Sequence, residues 1–63
     1  MENFIRYVKA RIKEAEDRLE ELEKLIKIGA EVGMDITEYR IRYDQLKAEV
    51  EKWKKALGKV GVE

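Results

Sequence analysis

The chain has no cysteine, no histidine and no proline, and only four glycines in 63 residues. Without cysteine there is no disulfide to staple a small fold. Without histidine or cysteine, a metal site would have only carboxylates to use. The same absence removes the usual nucleophiles and bases of a catalytic site, and no glycine-rich phosphate loop is present, so the expectation is a protein that is not an enzyme and carries no cofactor. Neither sign of charge is in excess: 14 basic residues balance 14 acidic ones. That balance argues against a chain devoted to nucleic acid or to an anionic membrane. No apolar run approaches the ~20 residues of a membrane span. The opening Met1-Glu2-Asn3-Phe4-Ile5-Arg6 lacks the basic-then-apolar layout of a secretory signal. These features lead us to expect a soluble, intracellular protein with no membrane partner. Amides are scarce as well, only Asn3 and Gln45, while Lys, Glu and Arg abound. That bias fits a hyperthermophilic source.

What is present is good helix material. Glycine falls only at Gly29, Gly33, Gly58 and Gly61, which predicts two helices, a turn near Gly33 and a frayed C-terminus. The apolar residues give the phase. Ile5, Val8, Ile12, Ala15, Leu19, Leu22 and Ile26 follow an unbroken 3-4 spacing, and so do Ile36, Tyr39, Tyr43, Leu46, Val50, Trp53, Leu57 and Val60. Each series is an a/d heptad seam with no charged residue in it. At the boundary, Gly33 can take the left-handed conformation that ends a helix. Asp35 suits an N-cap with Glu38 three residues on, and Met34 and Tyr39 occupy the positions of a hydrophobic staple. The predicted helices span about 3–32 and 36–58.

So short a connection makes the helices antiparallel neighbours. The fold class is all-α, a single helical-hairpin domain over 1–63. Facing seam residues then have numbers that sum to 65: Ile26 with Tyr39, Leu22 with Tyr43, Leu19 with Leu46, Ala15 with Val50, Ile12 with Trp53, Val8 with Leu57 and Ile5 with Val60. The Trp53 indole is expected to fill the thin layer beside Ala15. Among the flanking charges, Glu16 is set against Lys47, Glu23 against Arg40 and Arg18 against Glu49, with Lys9 unfavourably near Lys54.

A core this small usually needs a staple. With disulfides excluded, self-association remains, and the expectation is a homodimer forming a four-helix bundle. Phe4 and Leu25 at g, Tyr7 and Ile28 at c, and Ile41 at f widen the apolar surface beyond the seam. They are the candidates for the dimer face or for docking a partner. The competing reading is an isolated hairpin with scattered surface apolars, which are normal one at a time.

Charge is segregated along the hairpin. The open end carries Arg6, Lys9, Arg11, Lys13, Lys52, Lys54, Lys55 and Lys59 against Glu2 and Glu63, a net of +6. The middle, 14–23 with 42–51, sums to −6, and the turn end is balanced. Two +6 ends repel at short range, which predicts a dimer with its loops at opposite ends. The basic end is also the candidate nucleic-acid site, through salt-dependent phosphate contacts. Its alternative is a solvated helix end. The segment Tyr39-Arg40-Ile41-Arg42-Tyr43 resembles a base-stacking strip, but both tyrosines are seam residues, as is Trp53 within Lys52-Trp53-Lys54-Lys55. The acidic residues from Glu14 to Glu23 read as a solvated face supported by i,i+4 pairs. Bundle di-metal sites need inward carboxylates, and here the inward positions are apolar.

In length, in its two seams and in its Lys/Glu bias, residues 3–60 resemble the small four-helix-bundle proteins of spindle-shaped viruses of hyperthermophilic archaea. More broadly, the architecture is similar to that of the Rop-type plasmid regulators. The viral resemblance implies an adaptor role in a hot, intracellular setting. The Rop-type resemblance implies RNA binding by a dimeric hairpin. Neither carries a residue role onto this chain. The leading expectation is a non-enzymatic homodimeric adaptor that binds another protein. The alternative is a nucleic-acid-binding regulator.

Overall fold

The computed structural model describes residues 2–59. They form two helices, α1 (Glu2–Glu31) and α2 (Thr37–Lys59), and no strand. The helix limits lie within about a residue of the expected ones at every end, as capping ambiguity allows. The hairpin is a rod of 47 × 15 × 14 Å. Its long axis is that of a 30-residue helix rising about 1.5 Å per residue. No helix among the described residues is long and apolar enough to cross a membrane.

The end of α1 is built from backbone geometry. Gly33 has φ of 79°, the left-handed region closed to most side chains. This lets the Met34 N–H reach back to the Gly29 carbonyl (2.8 Å) and the Gly33 N–H to that of Ala30 (3.2 Å). The two bonds form a Schellman motif with Gly33 at C′. They satisfy carbonyls that a helix end otherwise leaves without a partner.

The start of α2 differs in one detail from the expected capping box. The N-cap position falls on Ile36, whose carbonyl accepts the first helical bond from the Arg40 N–H (3.0 Å), and Asp35, one residue earlier, accepts at its Oδ1 from the Thr37 N–H (3.1 Å) and the Thr37 hydroxyl (2.7 Å). Glu38 takes no part. The hydroxyl of Thr37 is close enough to double the bond, so Asp35 turns to it. Both bonds favour the charged carboxylate, and they hold Asp35 below its ordinary value of 3.8, the hydroxyl bond having the larger effect.

Every predicted seam position within the described residues except Trp53 is buried or half-buried. Val8, Ile12 and Val50 are the buried centre, with Ala15, Leu19 and Leu57 packed against them. The Ile5–Val60 layer involves a residue outside those described. Trp53 is the exception: the residue is 44% exposed. Two helices leave a seam open along both sides, and Trp53 lines a groove there with Tyr7 and its expected partner Ile12.

The seam also runs one layer further than the apolar residues show. Gly29 is buried, three residues after Ile26. A Cβ placed there would lie 2.8 Å from Cγ2 of Ile36. The numbers 29 and 36 complete the same sum of 65. This layer holds no side chain from α1, and Ile36 closes directly onto the helix backbone beside the turn.

Candidate interaction face

The seam divides the hairpin surface into two flanks, and they differ in kind. One helical residue turns about 100°, so the residues just after each seam position form one flank and those just before it form the other. On α1 the following flank is Arg6, Lys9, Lys13, Glu16, Glu20, Glu23, Lys27 and Ala30, with no large apolar side chain. On α2 it includes Lys54, whose ammonium forms an ion pair with Glu16. Glu16 thus pairs two turns, one heptad, further along α2 than Lys47 would place it. The contact sets a carboxylate beside Lys54. Both side chains are about half exposed, so the pair contributes only a few tenths of a kcal/mol.

The preceding flank is the unusual one. Phe4 (60% exposed), Tyr7, Leu25 and Ile28 (65%) all lie on it, and Val32 continues the line. Two shallow grooves open on this side. One is lined by Leu22, Leu25 and Arg18 from α1 with Arg42, Leu46 and Glu49 from α2. The other lies between Tyr7, Ile12 and Arg18 on α1 and Val50, Glu49 and Trp53 on α2. Arg11 folds back over the Tyr7 ring at 6.0 Å, near the outer limit of a cation–π contact. On α2, Lys47 stands at the same distance from Tyr43.

The remaining candidates lie elsewhere. Ile41 is half exposed on the outer side of α2, and Met34 is exposed at the turn. Neither Met34 nor Val32 stood out as a surface apolar in the sequence. Met34 occupies a staple position, and Val32 sits at the predicted end of the helix. Tyr39 and Tyr43 are half-buried seam residues. The eight basic residues of the open end are all exposed and surround it on every side rather than sharing one face. Among the described residues, no cluster of three or more acidic, histidine or cysteine side chains is arranged to hold a metal ion.

The accessible surface measures how much is left uncovered. The chain exposes 5528 Å². A compact monomer of 7.5 kDa would expose about 4,200 Å². The excess, roughly 1,300 Å², follows from the 47 × 15 × 14 Å rod shape, which leaves both flanks of the seam open. Comparison with protein-family models, with curated proteins and with solved structures finds no match to this chain.

Proposed function

We propose that the chain is one half of a homodimeric four-helix bundle and works as a non-enzymatic interaction protein, binding another protein through the bundle surface. The observation that carries this reading is the imbalance between cover and core. Among the described residues only Val8, Ile12 and Val50 are buried hydrophobic side chains, while eight large hydrophobics stand exposed. Two helices alone cannot enclose that much apolar surface, and a second copy supplies the missing side. The adaptor role implied by the resemblance to viral bundle proteins belongs to the same reading.

Light scattering tests the foundation. A mass twice 7.5 kDa at micromolar concentration is expected; a monomer at every concentration would overturn the dimer and the function built on it. Ile41 points outward on α2 and stays available after pairing. In a tagged pull-down, Ile41→Glu should lose a protein that the parent chain recovers. Equal recovery removes Ile41 from the docking surface.

A second reading follows from the exposed basic end: two such ends, one at each tip of the dimer, contacting nucleic-acid phosphates. Filter binding across salt decides it. Retention that falls steeply with salt supports it, and no retention even at low salt eliminates it.

A further inference from the structure

The preceding flank of α1 carries a second heptad stripe, each member one residue before a seam position. Its spacing is as regular as that of the seam, but its residues change in kind from apolar at the ends to charged in the middle. Reversed against itself, the stripe matches. Phe4 falls opposite Ile28 and Tyr7 opposite Leu25, while Arg11 falls opposite Glu21 and Glu14 opposite Arg18; each pair sums to 32. Every apolar residue meets an apolar one and every charge meets its opposite. All eight side chains are exposed in the hairpin. Among the described residues, none of Arg11, Glu14, Arg18 and Glu21 is in an ion pair within the chain.

We infer that this stripe is the dimer seam, and that α1 pairs antiparallel with α1 of a second copy about a two-fold axis at residue 16. The inference rests on the proposed dimer and adds its face and register. A stripe one residue from the first lies about 100° round the helix, close to the right angle between neighbours in a four-helix bundle. The two apolar ends cover each other, and the charged middle sets the register between them. The other flank repeats the basic-to-acidic trend but has no large apolar side chain to bury. On α2 the same axis brings Glu49 near its own copy, and Arg18, lining the same groove, stands beside it. The arrangement puts the loops at opposite ends, so each basic tip lies over the acidic waist and the turn end of the other chain.

Two experiments on the full chain test this. In the first, dilution followed by light scattering compares the parent with Arg18→Glu, Glu14→Arg and the double variant. Each single change turns two attractive contacts per dimer into repulsive ones and should raise the dissociation constant about tenfold. The double variant exchanges the charges and should return to within about threefold of the parent. Helicity by circular dichroism checks that each variant folds. In the second, Tyr7→Cys/Leu25→Cys is oxidised; the chain has no other cysteine. The two positions are about 27 Å apart along one helix, too far to join within a chain. A covalent dimer, absent for Tyr7→Cys alone, is expected. A dimeric parent whose charge variants do not rescue each other, or whose cysteine pair does not link, would overturn the stripe and leave the dimer standing. A parent that is always monomeric would overturn both.

Discussion

Three residues at the turn act through different physics. Gly29 is glycine because of space: a methyl there meets Ile36 at 2.8 Å. Gly29→Ala gains up to about 1 kcal/mol of helix propensity, but it forces a β-branched, stiff neighbour to move, which costs ~1–3 kcal/mol. A net loss of about 1 kcal/mol in urea denaturation is expected; a gain would show that Ile36 can retreat. Gly33 is glycine because of its dihedral angle, with nothing within 4 Å of an added Cβ. Gly33→Ala should therefore cost about 1–2 kcal/mol of pure backbone strain, and Gly33→Asn clearly less. Asp35 acts through charge. Its folded-state value is lowered, so its contribution is complete above the ordinary 3.8 and is lost as pH falls through the lower folded value. Asp35→Ala should be less stable than the parent at neutral pH, with the gap closing below pH 3.8. A gap that stays constant in acid would assign the loss to something other than the carboxylate.

At the scale of the helix, the hairpin was legible because heptad spacing is a redundant signal. One misplaced residue among fifteen does not hide the phase. Spacing assigns Trp53 to the seam but carries no information on how much of an indole two helices alone can cover. Gly29 was hidden for the opposite reason, since a residue without a side chain has no hydropathy to register. Two cues in the sequence point to it, its place three residues after Ile26 and its sum of 65 with Ile36. The second stripe of α1 is only half legible in the sequence: its apolar ends stand out, while Arg11 belongs as readily to the basic end, Arg18 to a contact with Glu49, and Glu14 and Glu21 to a solvated face. The exposed indole is itself a probe. It is the only tryptophan, and it lines a groove on the flank assigned to pairing. Its emission should shift to shorter wavelength as chain concentration rises through association, and a spectrum that ignores concentration would place Trp53 outside the interface. In the buried centre, Val50→Ala should cost about 2 kcal/mol.

For the molecule as a whole, stability and assembly are one quantity. A chain that associates when folded and not when unfolded melts at a temperature that rises with its concentration. That dependence is expected here, and a melting temperature unchanged over a hundredfold dilution would indicate a self-sufficient hairpin. The segregated charge adds a salt term. Screening weakens contacts between exposed charges more than apolar ones, so the charged middle of the second stripe should discriminate register best at low ionic strength.

The constant sum of the hairpin layers also constrains how a gene for such a chain can change length. Losing one codon from the middle of α1 would turn every later seam residue by about 100° and break all the layers on one side of the gap. Losing a heptad restores the phase but leaves seam residues on α2 without a counterpart. Within the helical arms, length can change without loss of layers only in whole heptads, removed or added on both arms at positions that complete the same sum. Inside the two arms, descendants of this gene should therefore differ in length by paired blocks of seven codons rather than by single ones.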